Sequence, residues 1–171
     1  MKIATVGLDL AKTLSQVHGV DLQGHVIVRK QLRRVDVLPC FAKLEPCVVG
    51  MEACGSSRYW GRELAKLGHT VRLIAPQFVL PYVKSNKTDA ADAEAICEAV
   101  QRPHMRFVPL KTQAQQTMLS LHLARAGLVK SRTALANQIR GLLGEFGIVL
   151  PQGIRLLRGT VTLLRWSSKI A

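Results

Sequence analysis

Short apolar runs broken by polar turns fill the first hundred residues, and one long stretch without proline follows them. Ile3 to Leu8 is a compact apolar run that predicts a strand ending at Asp9. Thr13 to Val20 predicts a second strand and His25 to Lys30 a third, joined through the turn Asp21-Leu22-Gln23-Gly24. Val35 to Leu44 predicts a short helix, stopped by Pro46. Cys47 to Met51 fits a buried strand with Glu52 at its end. Gly55-Ser56-Ser57 opens a helix through Tyr59, Trp60, Leu64 and Leu67, with a serine as N-cap and Gly68 as its stop. His69 to Ile74 predicts the next strand, ended by Pro76. A loop from Pro76 to Lys87 then leads into an alanine-rich helix over Thr88 to Gln101. The order β-β-β-α-β-α-β-loop-α predicts an α/β fold, a mixed sheet with helices on its faces.

Pro103 and Pro109 mark a break, and Lys111 to Phe146 reads as one long helix. Leu121, Leu128, Leu135 and Leu142 recur every seven residues, and Ile139 and Phe146 join late as a second seam position. This is a ragged coiled-coil stripe. Gly147 and Pro151 end it. The expected organisation is therefore an α/β domain over 1–105, a long helical segment over 106–150 and a tail over 151–171.

Charge changes the picture. The chain carries 24 Lys and Arg against 11 Asp and Glu, a formal net charge of +13. The excess is uneven: after residue 101 the only acidic residue is Glu145. A basic field of this kind draws polyanions, and nucleic acid is the commonest one. Cys40, Cys47, Cys54 and Cys97 form no C-x-x-C pair and the histidines are scattered, so buried free thiols are expected rather than a zinc site. The first ten residues lack the apolar run of a signal peptide and no membrane-length apolar stretch occurs, so a cytoplasmic protein is expected.

Four carboxylates stand out by position. Asp9 and Glu52 end apolar strands, and Asp89 and Asp92 sit three apart on the first turn of a helix. An acid at the end of an apolar strand is costly unless it is solvated, paired or bound to a metal. Taken singly, each acid has a plainer account: a turn at Asp9, a surface acid at Glu52, an N-cap with its capping-box partner at Asp89 and Asp92. As a set they suit a pair of divalent cations acting on a phosphodiester, chemistry that needs oxygen ligands and neither cysteine nor histidine.

Three blocks carry a resemblance. Val6-Gly7-Leu8-Asp9-Leu10-Ala11-Lys12, Met51-Glu52-Ala53-Cys54-Gly55 and Lys87-Thr88-Asp89-Ala90-Ala91-Asp92-Ala93 occur in this order. With Asn137-Gln138-Ile139-Arg140-Gly141-Leu142-Leu143 and Glu145-Phe146-Gly147, they resemble the DEDD transposases of the insertion-sequence one-ten family, relatives of the Piv and MooV invertases. The resemblance implies a RuvC-like member of the RNase H fold whose Asp9, Glu52, Asp89 and Asp92 bind Mg²⁺ or Mn²⁺. It also implies DNA as the partner, a structured bridge RNA as guide in some members, and a long helix that joins protomers into a homo-oligomer. Lys84, Lys87, Arg125, Lys130, Arg132 and Arg140 are the expected nucleic-acid contacts.

The family places a serine nucleophile in a C-terminal domain. The chain stops at Ala171, so full recombination by it alone is not expected, and Ser167 and Ser168 are assigned no role. The competing reading is a remnant that binds nucleic acid or dimerises without catalysis. A sugar-kinase-like ATPase also opens with a strand ending in Asp, but it needs a glycine-rich phosphate loop and a second lobe that this sequence lacks.

Overall fold

The computed structural model describes residues 2–83, 88–157 and 159. The chain divides into two compact units, Met1–Thr112 and Gln113–Ala171.

In the first unit, alternation of apolar and small or polar residues sets the sheet. β1 (Thr5–Leu10), β2 (Leu14–Val20) and β3 (Val26–Arg33) form an antiparallel meander, while β4 (Val48–Glu52) and β5 (Thr70–Ile74) continue the sheet parallel to β1. β6 (Phe107–Val108) pairs antiparallel with β5, giving the order β3-β2-β1-β4-β5-β6. This is the mixed sheet with flanking helices expected from the sequence. Asp9 lies at the end of β1 as expected, one residue before its last residue, Leu10.

Each face of the sheet carries its own core. On one, Val6 and Leu8 of β1, Val49 and Met51 of β4 and Leu73 of β5 pack with Val37 and Phe41 of α1 (Val37–Phe41) and with Trp60 and Leu64 of α2 (Ser57–Lys66). On the other, Ile74 of β5 packs with Val79 of α3 (Pro76–Val79) and with Ala95, Ile96 and Ala99 of α4 (Asp89–Ala99). The expected loop after Pro76 therefore begins with α3 and a 3-10 turn, Leu80–Tyr82. Of the cysteines, Cys47 and Cys97 are buried and Cys40 and Cys54 half-buried, all as free thiols.

The contact that positions everything else is made where side chains are missing. A Cβ on Gly7 would lie 2.1 Å from the Ala93 carbonyl oxygen and 2.5 Å from the Cys97 nitrogen. A Cβ on Gly50 would lie 2.9 Å from Cβ of Val100. Gly7 and Gly50 are direct neighbours in the β1–β4 register. Two glycines side by side thus let α4 rest against the backbone of the central strands.

In the second unit, α5 (Gln113–Gly144) is a single helix. It ends in a Schellman motif: the Ile148 N–H donates to the Leu143 carbonyl at 3.0 Å and the Gly147 N–H to the Gly144 carbonyl at 2.9 Å, with Gly147 at φ 75°. The chain then folds back so that Leu150 and Leu157 bury against Ala136, Ile139 and Leu143. Leu121, Leu128, Leu135 and Leu142 are all more than half exposed along the helix.

Two glycine substitutions should act in opposite directions. Gly7→Ala must push α4 off β1, and a loss of about 1–3 kcal/mol is expected in urea denaturation. Gly127→Ala, in open space within α5, should stabilise the helix by about 0.5–1 kcal/mol, read from its thermal melt.

Candidate metal centre

The residue pattern that seats α4 also delivers the acids. Each glycine stands two positions before a carboxylate: Gly7-Leu8-Asp9 on β1 and Gly50-Met51-Glu52 on β4. Residues two apart on a strand share a face, so Asp9 and Glu52 lie on the α4 side, at the carboxyl ends of adjacent parallel strands. On α4, Asp89, Ala93 and Cys97 are spaced by fours, as are Asp92, Ile96 and Val100. Those two rows run along one side of the helix. Their lower members lie on Gly7 and Gly50, which brings their upper members, the two aspartates, toward the strand ends.

Carboxylate oxygens of Asp9, Asp89 and Asp92 lie within 4.8 Å of one another. Glu52 is outside that group but near enough for its charge to act on Asp9. Asp9 and Asp92 are half-buried and Asp89 is exposed. None of the four makes a salt bridge among the described residues. Burial pushes the Asp9 carboxyl up to about 6, and the charges of Asp92, Asp89 and Glu52 add to the effect; the Leu10 backbone N–H acts in the opposite direction.

Helix capping explains only part of this cluster. Thr88 is the N-cap of α4, its Oγ1 accepting from the Ala91 N–H at 3.2 Å. Asp92 returns no capping-box bond to Thr88 among the described residues. The helix dipole favours acids on a first turn by a few tenths to about 1 kcal/mol, which accounts for Asp89 and Asp92 but not for the half-buried Asp9. An all-oxygen donor set of three or four carboxylates fits a hard divalent cation such as Mg²⁺ or Mn²⁺. Such a cation would offset both the burial and the neighbouring negative charges that raise the Asp9 carboxyl.

The basic positions fare differently. Arg125, Lys130 and Arg132 stand exposed on α5. Arg140 instead ties the helix end to the following turn, donating to the carbonyls of Pro151 (3.1 Å) and Gly153 (3.0 Å) and to Asn137 Oδ1 (3.0 Å). Its guanidinium is engaged because α5 stops at Gly144 and the chain reverses beside it. Lys84 and Lys87, like the tail serines, lie outside the described residues. The glycine pair escaped the sequence reading. The signal that reveals it is the repeat of Val-Gly-x-acid at Val6-Gly7-Leu8-Asp9 and Val49-Gly50-Met51-Glu52.

The raised Asp9 carboxyl has a definite sign in a stability profile. Folded, it holds its proton to about pH 6, against an ordinary value of 3.8. The folded state therefore binds more protons between those values, and this group's contribution falls as pH rises through them. In chelator near neutral pH, Asp9→Asn should be more stable than the parent by about 1 kcal/mol, after allowing for solvent screening of a half-exposed group. The difference should vanish toward about pH 4. Urea titrations across the window test it, and a less stable Asp9→Asn at neutral pH would show that the Asp9 carboxylate is not destabilised by its burial and its acidic neighbours.

Known proteins share this chain's pattern. A family described as transposase, of the DEDD IS110 type, matches residues 6–148. A Pseudomonas aeruginosa protein named "Probable family 20 transposase" is 61% identical over 149 residues, covering 87% of this chain and 44% of its own length. The transposase for insertion sequence element IS1328 of Yersinia enterocolitica is 42% identical over 161 residues, covering 94% of this chain and 48% of its own. The chain thus spans about half the length of the curated relatives it matches. A solved structure of T. thermophilus RuvC in complex with a Holliday junction substrate aligns with a TM-score of 0.47 and 12% identity, covering 62% of this chain and 99% of that one. On the family match and these identities, the chain belongs to the DEDD transposases of the IS110 type.

Proposed function

We propose that this chain supplies the acidic, metal-binding half of a DNA strand cleavage and transfer site used in transposition. The observation that carries the reading is the convergence of Asp9, Asp89 and Asp92 from a strand and a helix that meet only in the folded protein. Asp9 and Glu52 would hold cations from the sheet side, Asp92 and Asp89 from the helix side. Bound divalent ions would supply the Lewis acidity that activates an attacking oxygen and stabilises the leaving one at a phosphodiester. The residues of this chain fix the place of that chemistry and leave the exposed Asp89 side open to a substrate.

The remaining chemistry, a serine nucleophile among it, is assigned to the part of the relatives that this chain does not span. DNA is the proposed substrate, and a structured RNA guide is compatible with the positive charge. Arg125, Lys130 and Arg132, with Lys84 and Lys87, are the proposed backbone contacts. The exposed leucine row of α5 supports association of protomers through that helix. No helix among the described residues is long and apolar enough to cross a membrane.

Calorimetry with Mg²⁺ or Mn²⁺ tests the centre. Uptake by the parent chain should weaken at least tenfold in Asp9→Asn and in Asp92→Asn, and undiminished uptake in both would remove the catalytic reading. For association, the double variant Leu128→Glu, Leu135→Glu should run as a monomer in light scattering. A mass equal to the parent's would count against the helix as the joint.

A further inference from the structure

Beside the acids, the sheet carries a polar lane that the metal reading does not use. The strand register places Asp9 of β1 opposite Gln16 of β2, and Gln16 opposite Gln31 of β3. Directly opposed residues share a face, so one row runs from the acid cluster to the edge of the sheet. The next row, Gly7, His18 and Arg29, lies toward the body of α4. A groove of about 400 Å³ follows the lane, with Gln16, Gln31 and Arg29 on the sheet side and Thr88 and Ala91 of the helix start on the other. Neither glutamine amide hydrogen-bonds another described residue, although Gln16 is half-buried. Arg29 reaches across to Glu94 (Nη2 to Oε2, 3.3 Å). That pair is exposed enough to be weak and to yield to a competing anion.

We propose that this lane seats the DNA strand on one side of the phosphodiester held at the acids, with Gln16 and Gln31 hydrogen-bonding the strand and Arg29 pairing with a phosphate. The inference rests on the metal-centre reading and extends it to the path of the substrate. Neighbouring strands are about 4.8 Å apart, so Gln31 lies about 10 Å from Asp9, roughly three nucleotide steps at the rise of a duplex strand. Free amides suit such a lane, since they offer both donors and acceptors without adding charge beside the acids. The cation stands at the outer end, where it neutralises a phosphate without competing for the metal.

The test uses the full chain, a labelled DNA duplex and a labelled RNA of equal length, with Ca²⁺ present. Gln31→Ala should lower DNA affinity three- to tenfold with an unchanged salt slope, and Arg29→Ala should lower it while reducing that slope by about one. Gln16→Ala should act like Gln31→Ala. Should it fail to fold, the exposed Gln31 position decides. A benzophenone side chain at position 31 should crosslink DNA at least fivefold more than one at position 66, on α2, which packs on the opposite face of the sheet. Unchanged affinity in Gln31→Ala, equal crosslinking at both positions, or effects confined to RNA would each overturn the lane. Mg²⁺ uptake is measured on the same variants. Normal uptake with no DNA effect discards the lane and leaves the metal centre standing, whereas a parent chain that takes up no Mg²⁺ discards both.

Discussion

The first unit depends on one contact: α4 lies directly on the backbone of β1 and β4. Most helices pack on sheets through a layer of side chains. Here Gly7 and Gly50 remove the sheet's share of that layer at two adjacent points: Ala93 and Cys97 of the helix meet Gly7, and the Val100 side chain at the helix end meets Gly50. Strand and helix are then held at a separation that one methyl group would destroy. The acids sit on the same faces, one step further along, so their convergence follows from packing and needs no interaction among themselves.

That order of causes matters because the acids oppose each other. Burial, with the negative charges of Asp92, Asp89 and Glu52, raises the proton affinity of Asp9 and weakens the fold around it. The two cores on either side of the sheet, built from residues such as Leu8, Met51, Leu64 and Ile96, offset the cost. Function and stability are divided between opposite ends of the same helix: its first turn carries repulsion and its last two turns carry burial. This is the division expected of a binding site assembled before its ligand arrives.

Much of the fold is legible in the sequence. Runs such as Ile3 to Leu8 and His69 to Ile74 declare strands through local hydrophobicity, and the proline-free stretch after Lys111 declares a helix. Placing Asp9 and Glu52 at strand ends and Asp89 and Asp92 on one helix turn requires only local reading. What escapes is non-local. β6 has two residues and exists through its pairing with β5, so no periodicity marks it. The role of Gly50 depends on its being beside Gly7, and that of Gln31 on a register running across three strands. Arg140 reads as a surface cation until the chain is seen to reverse beside it.

The same glycine contact hides a natural probe. Cys97 lies against Gly7 with 2% of its surface exposed, its sulfur near the Thr5 carbonyl and its thiol pushed by burial up to about 11. A reagent that attacks thiolates reaches this sulfur only when α4 lifts from the sheet. The rate at which Cys97 is alkylated therefore measures how often α4 parts from β1 and the acidic cluster comes apart.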